Sequence, residues 1–395
     1  MIRLLDEFDR CSPCSSEELE YVQYVRQIAT EKIAPRANDL DVSCEFPWAN
    51  IELLNAISLN EAIVPAAYGG APLSFSAILR IIEEISRACP ATAITWATTM
   101  HAIEPLLAFG TEEQKARFLP RILAGNLAAI AITEASGGSD VFAMESTLVR
   151  DGTDLVLNGG KIFITNGDVA DVMLVFARSP HTPRPRDQLT CVVIDPKIAG
   201  VEVVRRESKL GHRASSTAEL RFDNIRLRDS DVVGGLGGGF EVLLHMLNKS
   251  RPSIAAQAVG IAVAAFEETL EYINNRKQFG SRILDFQGVQ FIVADMASKL
   301  MAAKSYLRYV GILVDSGATG FDIEASILKL IATDAAMNIA TAAVQLQGGY
   351  GYMSGSTVER LFRDAKLTQI WEGANELHRG RIGKSFLVSN GTTPA

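Results

Sequence analysis

Residues 146–165 have the sequence STLVRDGTDLVLNGGKIFIT, in which short β-branched runs alternate with turn dipeptides. The predicted strands are 146–150, 155–157 and 161–165, and the turns between them are Asp151-Gly152 and Asn158-Gly159. Such dipeptides between apolar runs are typical of β-hairpins. In the last strand, a period of two predicts Phe163 and Thr165 on one side and Ile162 and Ile164 on the other.

Further β-branched runs follow this segment. They occupy 172–177, 190–194, 201–205 and 217–227, and no helical pattern separates them. Parallel strands need long crossovers, which are usually helical, so their absence favours antiparallel pairing. The sequence therefore predicts a β-meander of six or seven strands that forms an antiparallel barrel or sandwich.

Helical patterns lie on both sides of these strands. Capping boxes at Ser15/Glu18 and Thr111/Gln114 start helices before the strands, and 78–107 is typical of a buried helix. After the glycine-rich segment 234–239, helices are predicted at 240–275, 285–316, 322–346, 356–368 and 375–388. We interpret 234–239 as a hinge or domain boundary, because it lacks the spacing of a phosphate-binding glycine loop.

The predicted fold class is therefore α+β and mostly α. An N-terminal helical domain covers 1–127, a central antiparallel β-barrel domain covers 128–239, and a C-terminal four-helix bundle covers 240–395.

Composition excludes several function classes. The 395 residues are 48% hydrophobic and carry a net charge of −8, which disfavours nucleic-acid binding. The N-terminus turns acidic early and no apolar run approaches about 20 residues, so neither a signal peptide nor a membrane span is expected. An odd number of cysteines, 5, argues against a disulfide framework. We expect a cytoplasmic protein.

Familiar catalytic motifs are absent from the sequence. There is no zinc-spaced set of cysteines and histidines, and hence no predicted metal site. The five histidines are far apart, and each is expected to be structural or solvent-facing: His101, His181, His212, His245 and His378.

Three segments combine an apolar strand or helix end with hydroxyls and glycines. They are 130–140, 161–167 and 367–376. Such segments can present backbone N–H groups to a flat polar ring while an apolar side chain covers its face, as an isoalloxazine requires.

These segments belong to a set of motifs in which the chain resembles the acyl-CoA dehydrogenase family. The order of helices, β-domain and helical bundle is also the family's order. The matching motifs are Ile132-Thr133-Glu134 with Gly138-Ser139-Asp140, Phe163 to Gly167, Arg276 to Gly280 with Phe286-Gln287, Gln345 to Gly351, and Arg363-Asp364-Ala365 with Trp371-Glu372-Gly373.

The resemblance implies FAD, bound non-covalently where the β-domain meets the bundle. It implies that Thr133 and Thr165 hydrogen-bond the flavin, that Phe163 stacks near its face, and that Ser139 lies where FAD and the thioester arm pass. The segments around them supply Ile130, Ile132, Ala374 and Glu376 as further FAD contacts, although family members often carry a hydroxyl and an amide residue at the last two positions. Residues implied to reach the adenosine diphosphate half of FAD on a neighbouring subunit are Arg276, Gln278, Phe279, Gln287, Gln345 and Gly349.

The same resemblance makes Glu372 the catalytic base. A thioester α-proton is weakly acidic, so a desolvated carboxylate beside it suits its removal. The β-hydrogen then leaves as hydride to flavin N5. Some family members place the base at the position of Ser250, where serine cannot do this work. Asn248 and Arg251 match a substrate-facing turn, although an arginine before Pro252 is equally consistent with a structural role.

The implied function is FAD-dependent α,β-dehydrogenation of an acyl thioester carried on coenzyme A or a carrier protein. An electron-transfer flavoprotein is the kind of acceptor expected, and a homo-oligomer, dimer or tetramer, is expected. An oxygen-using flavoenzyme of the same fold, of the nitroalkane oxidase or flavin hydroxylase type, is the alternative. A helical assembly protein without flavin is a third reading, which a flavin spectrum would exclude.

Overall fold

The structure is a computed structural model that describes residues 3–10, 13–180 and 182–387. Helices come first in the chain, followed by a sheet and then by more helices. The α-helices before the sheet are α1 (Arg3–Arg10), α2 (Ser16–Ile28), α3 (Ala37–Ser43), α4 (Trp48–Ala56), α5 (Phe75–Ala88), α6 (Pro90–Phe109) and α7 (Glu112–Leu123).

The middle of the chain is mostly strand. The strands are β1 (Ala128–Ala131), β2 (Thr147–Asp151), β3 (Asp154–Thr165), β4 (Val172–Arg178), β5 (Leu189–Ile194), β6 (Val201–Arg206), β7 (Thr217–Leu227) and β8 (Val232–Val233), with the short helix α8 (Pro185–Gln188) before β5.

The chain after the sheet is helical apart from one small hairpin. Its elements are α9 (Gly239–Asn275), β9 (Lys277–Gln278), β10 (Ser281–Arg282), α10 (Gln287–Asp315), α11 (Asp322–Gln347), α12 (Gly349–Tyr352), α13 (Thr357–Thr368) and α14 (Asn375–Ser385). The α+β fold class, with helices on both sides of a central sheet, is confirmed, whereas the exact domain boundaries stay a prediction.

The predicted helix starts are found in the structure. The Ser15 side chain accepts a hydrogen bond from the Glu18 backbone N–H, and the Glu18 side chain accepts one from Ser15. Thr111 and Gln114 make the same reciprocal pair at the start of α7. Each pair satisfies backbone donors that a helix leaves free at its first turn.

The sheet is mixed, although we predicted an antiparallel one. Its strand order is β6-β7-β3-β2-β4-β5-β8, and β1 pairs with β4 in parallel, with Ala128 opposite Val172. The hairpin of β2 and β3 lies between β1 and β4 in the chain and supplies the long connection that a parallel pair needs. No strand pairing among the described residues joins β6 to β8, the two ends of this order.

The predicted turn at Asn158-Gly159 is wrong, because β3 runs through it from Asp154 to Thr165. The register against β7 shifts between Leu157 and Gly159, which marks a β-bulge. Gly159 has a φ of +145°, and a Cβ there would lie 2.2 Å from the Ser146 Oγ. Glycine is therefore needed for a close approach inside a strand, a role that gives the same sequence signal as a turn.

A second register shift interrupts the predicted alternation, between Lys161 and Ile164. Phe163, within this bulge, has a φ of +60°. Ile164 packs in the core of the β-domain, as its position in the pattern predicted. Between the buried Lys161 and Ile164, Ile162 is half-buried and Phe163 is exposed, so Ile162 does not share the burial of Ile164 and the predicted alternation fails here.

Two apolar cores meet at the sheet. One lies inside the β-domain, and the other fills the space between the helices and the outer face of the sheet. Strand β4 contributes alternate residues to each core, which explains its continuous apolar sequence. The helix-facing residues are Val172, Leu174 and Phe176, and those in the β core are Met173, Val175 and Ala177.

Two helices of the described part are long and apolar enough to cross a bilayer, by length and composition alone. They are α9 and α11, with mean hydropathies of 1.2 and 1.4 in their most apolar windows. The share of each window buried inside the protein is 78% for α9 and 50% for α11. A buried helix of a globular core passes the same test, and the burial of α9 accounts for its composition.

Asn166 fastens helix α6 to the first strand. It has a φ of +61°, and its Nδ2 donates hydrogen bonds to the carbonyls of Thr95 at 2.9 Å and Ala128 at 3.1 Å. Asparagine tolerates this left-handed backbone better than most residues, and the side chain is fully buried. The residue therefore serves both the turn after β3 and the contact between α6 and β1.

We predict that Asn166→Gly lowers the free energy of unfolding by about 1–3 kcal/mol, because two buried carbonyls lose their donor while glycine keeps the backbone unstrained. Denaturant unfolding of the purified protein measures the change. Asn224→Gly is the matched control, since Asn224 also has a positive φ, of +50°, but is exposed. Equal losses for the two variants would contradict a special role for the buried hydrogen bonds.

Candidate active site

A cavity of about 800 Å³ opens where the β-domain meets the helices. Its lining comes from six parts of the chain: α6, the end of β1 with the loop after it, the end of β3, the segment 207–217 that leads into β7, α9, and the end of α13 with the loop before α14. Predicted site residues that line it are Ile130, Ile132, Thr133, Ser139, Phe163, Thr165, Glu372 and Ala374. The structure thus brings together residues that are more than 200 positions apart in the sequence.

A buried ion pair positions the Thr133 segment. The Lys161 Nζ donates to the Glu134 carboxylate at 2.5 Å and to the Ile132 carbonyl at 2.9 Å, and Lys161 is fully buried. The Glu134 carboxylate also accepts the backbone N–H of Ser146. Burial lowers the pKa of Lys161 to about 8, although Glu134 opposes that shift. These contacts fix both residues that flank Thr133, which lines the cavity.

The β-domain side of the cavity carries unpaired polar groups and an uncovered aromatic ring. Phe163 is 60% exposed, and the Thr133 and Thr165 hydroxyls have no hydrogen-bond partner among the described residues. In the same part of the chain, the buried Trp371 Nε1 also lacks a partner. A flat ring with polar edges, such as an isoalloxazine, fits this lining because it offers an apolar face and acceptor atoms.

Glu372 lies in a loop with an unusual backbone. Its φ is +51°, and that of the following Gly373 is +92°, so two successive residues are left-handed. The Lys329 Nζ donates to the Gly373 carbonyl at 2.7 Å, and the His378 Nε2 lies 3.3 Å from the Glu372 carbonyl. A positive φ is costly for a residue with a long side chain and persists only where surrounding contacts hold it.

Asn375 ties the end of this loop to helix α11. Its backbone N–H donates to the Gln369 carbonyl at 3.0 Å, which closes the loop. Its Nδ2 donates to Thr333 Oγ1 and Asp334 Oδ1, and its Oδ1 accepts from the Lys329 Nζ at 2.9 Å. Each polar atom of the buried amide is therefore satisfied, which rigidifies the loop.

The Glu372 carboxylate is a base strengthened by its surroundings. Burial raises its pKa above the ordinary value, while a hydrogen bond from Ser250 and the charges of Arg251 and Lys329 act in the opposite direction. Ser250, which is fully buried on α9, donates through its Oγ to the Glu372 Oε2. The chain thus holds one oxygen of the carboxylate and leaves the group with raised basicity.

The two cations near Glu372 are themselves desolvated. Burial lowers the pKa of Lys329 to about 7, and the charge of Glu372 opposes this shift. Burial, followed by the nearby charge of Arg381, lowers the pKa of Arg251 to about 10. The Arg251 guanidinium donates to the Asn248 Oδ1 at 3.3 Å, and its Nε has no partner among the described residues. Arg251 therefore lies near the base, Asn248 lies beside Arg251, and neither residue lines the cavity.

The remaining predicted cofactor residues lie outside this cavity in the single chain. The exposed β9–β10 hairpin carries three of them: Arg276 directly before it, Gln278 in β9 and Phe279 in its turn. Phe279 is 95% exposed. Gln345 lines a separate open groove between α10 and α11. Gln287, Gly349 and Glu376 are exposed. A role for these residues across a subunit interface stays a prediction.

Sequence reasoning assigned no role to three residues that the structure brings to the site, although it named one of them, Ser250, as the position at which some family members carry the base. Ser250 and Lys329 touch the base loop, and His101, which we expected to be structural or solvent-facing, lines the cavity. Their separation from Glu372 in sequence gives no local pattern to find. His378 is buried, in agreement with a structural role. His212 is buried as well, but it lines the cavity, and its Nδ1 has no hydrogen-bond partner among the described residues. His181 lies outside the described residues.

Comparison with known proteins identifies the family of the chain. Three family models match the chain: acyl-CoA dehydrogenase N-terminal domain over residues 15–126, middle domain over 129–225 and C-terminal domain over 237–387. A cyclohex-1-ene-1-carbonyl-CoA dehydrogenase of Geobacter metallireducens is 38% identical, over 94% of this chain and 98% of that protein.

Solved structures give the same result. Butyryl-CoA dehydrogenase from Megasphaera elsdenii is 31% identical with a TM-score of 0.91, over 95% of this chain and 99% of that one. The prolyl acyl carrier protein oxidase AnaB is 29% identical with a TM-score of 0.89, over 95% of this chain and 100% of that one. From the family models and this degree of identity, we conclude that the chain belongs to the acyl-CoA dehydrogenase family.

Proposed function

We propose that the protein is an FAD-dependent acyl-thioester dehydrogenase. The observation that carries the proposal is Glu372, a carboxylate of raised pKa that opens on a cavity with a flavin-compatible lining. The reaction removes a proton from the α-carbon and a hydride from the β-carbon, and a carbon–carbon double bond forms between them. The organic product is the α,β-unsaturated thioester.

The residues of this chain supply the acid–base part of the reaction. Glu372 accepts the α-proton, and its raised pKa makes that transfer more favourable than transfer to an ordinary carboxylate. FAD, when bound, accepts the β-hydrogen as hydride. Ser250 holds one carboxylate oxygen, and Lys329 and His378 hold the backbone beneath it, so the base meets its proton without reorganising.

Several further features belong to the proposal. Thr133, Thr165 and Phe163 contact the flavin, and the acyl group is carried on coenzyme A or on the phosphopantetheine arm of a carrier protein. A carrier-protein oxidase among the structural relatives supports keeping both carriers. We further propose an electron-transfer flavoprotein as acceptor, a homo-oligomer and a cytoplasmic location.

Glu372→Gln should retain FAD and lose flavin reduction by several orders of magnitude, because the amide is nearly isosteric but cannot accept the α-proton. Anaerobic stopped-flow bleaching of the flavin with the best thioester measures this. Glu268→Gln, on α9 and outside the cavity lining, is the control and should keep the parent rate. Reduction by Glu372→Gln at more than about a tenth of the parent rate would place the base elsewhere.

Ser250→Ala should move the pH midpoint of flavin reduction upward by as much as about one pH unit. The Ser250 hydroxyl favours the ionised carboxylate, so its loss raises the pKa of the base, and the rate then rises only at higher pH. Ser253→Ala removes a buried hydroxyl from the same helix that bonds only the Lys249 carbonyl, and its midpoint should stay at the parent value. An unchanged pH midpoint in Ser250→Ala would contradict the claim that Ser250 lowers the pKa of Glu372.

Arg276→Ala should lower FAD occupancy and weaken the oligomer together, if the exposed guanidinium reaches FAD of a neighbouring subunit. Lys277→Ala removes an adjacent exposed cation and is the matched control. Flavin absorbance and analytical sedimentation on the same samples give both quantities. FAD loss from a chain that sediments as a monomer before and after the substitution would refute the shared site.

A further inference from the structure

Helix α6 presents one face to the cavity. The residues on this face are Ile94, Thr98 and His101, whose spacing of four and then three residues places them in one row. Ile254 of α9 lines the cavity as well, and both isoleucines are almost completely buried. This wall is therefore aliphatic with two polar positions, unlike the hydroxyl-rich lining that the β-domain supplies.

The polar positions on this wall are unsatisfied. His101 is 4% exposed, and its Nε2 has no hydrogen-bond partner among the described residues. Thr98 is 7% exposed, and in the same part of the chain its hydroxyl has no partner either. A buried polar atom without a partner typically costs about 1–3 kcal/mol, so the His101 imidazole gains from pairing with a ligand atom. The Thr98 hydroxyl is not shut off in this way and offers a second hydrogen bond beside it.

On the other faces of helix α6, the threonine hydroxyls are hydrogen-bonded. Thr95 donates to the Ala91 carbonyl at 2.9 Å, and Thr99 accepts the Ala128 backbone N–H at 3.0 Å. Neither lines the cavity. The hydroxyls of α6 that face protein are thus hydrogen-bonded, whereas the polar groups that face the cavity are free for a ligand.

The charge of this wall selects the kind of ligand atom. Burial lowers the pKa of His101 to about 3, so its imidazole is neutral at physiological pH. Lys249, the cation beside this helix, is paired with Glu104 one turn further along α6 and does not line the cavity. A carboxylate on the ligand would find no counter-charge on this face, whereas a hydroxyl or carbonyl oxygen would find a neutral imidazole and a hydroxyl.

We propose that Thr98 and His101 form a subsite for a neutral oxygen substituent on the acyl group, either a hydroxyl or a ketone, beyond the carbons that react. The aliphatic residues beside them contact the hydrocarbon body of the same acyl group. This inference rests on the proposed function, since it names the class of acyl group that the thioester dehydrogenase accepts.

The test compares matched acyl groups on the complete flavin-loaded protein. The parent acyl groups are hexanoyl and cyclohexane carbonyl, and each is paired with hydroxyl and keto derivatives that carry the oxygen beyond the β-carbon. Every acyl group is presented both on coenzyme A and on a phosphopantetheinylated carrier protein. Anaerobic flavin bleaching gives kcat/KM, and titration of the Glu372→Gln variant gives binding without turnover.

At least one oxygenated acyl group should exceed its parent by about tenfold or more in kcat/KM and in binding, because a site with unpaired polar groups discriminates against ligands that lack the matching atom. His101→Leu, and separately Thr98→Val, should abolish this preference while bleaching by the parent acyl group continues. Thr95→Val, which removes a hydroxyl of α6 that does not face the cavity, should leave the preference intact.

The outcomes separate this inference from the proposed function. If the parents bleach the flavin and no oxygenated derivative is preferred, the subsite is refuted and the dehydrogenase function stands. A preference that survives in both His101→Leu and Thr98→Val likewise refutes the assignment to these residues. If no thioester on either carrier bleaches the flavin, the proposed function itself fails.

Discussion

A carboxylate that must be desolvated enough to act as a strong base, yet remain ionisable, has to be held by groups that do not move. Glu372 is held in this way by three helices: Ser250 of α9 bonds its carboxylate, Lys329 of α11 bonds the next carbonyl, and His378 of α14 approaches its own carbonyl. These contacts compensate for a left-handed backbone. The packing of the C-terminal helices therefore fixes the position of the base.

The β-domain side of the cavity depends on an irregularity in strand β3. A strand buries alternate side chains, whereas a ligand wall needs successive residues to face outward. The bulge at Phe163 provides this, because the successive residues Ile162 and Phe163 both line the cavity, whereas Lys161 before them is fully buried. Lys161 then reaches Glu134 and fixes the neighbouring Thr133 segment. A single irregularity in β3 thus supports two parts of the cavity lining.

Much of this could be predicted from sequence, and the failures have physical causes. Helix starts were found because capping is local, and Glu372 was found because its motif matches a family pattern. The predicted turn at Asn158-Gly159 was wrong because a β-bulge and a turn both require a backbone conformation that glycine adopts readily, so the sequence signal is the same. Lys329 and His101 were missed because tertiary packing alone, and no spacing in the sequence, brings them to the site. Ser250 was named only as a position at which some family members carry the base, and its contact with Glu372 comes from the packing of α9.

The site also shapes the stability of the fold. Around one cavity the described chain carries three left-handed residues with large side chains, Phe163, His212 and Glu372, and three buried ring nitrogens without hydrogen-bond partners, in His101, His212 and Trp371. Each such feature costs about 1–3 kcal/mol in isolation. Ligands that form hydrogen bonds with these atoms bind the folded chain and not the unfolded chain, and so they stabilise the fold. The features around the cavity that cost stability are consequently the ones that a bound ligand can compensate, so stability and affinity depend on the same residues.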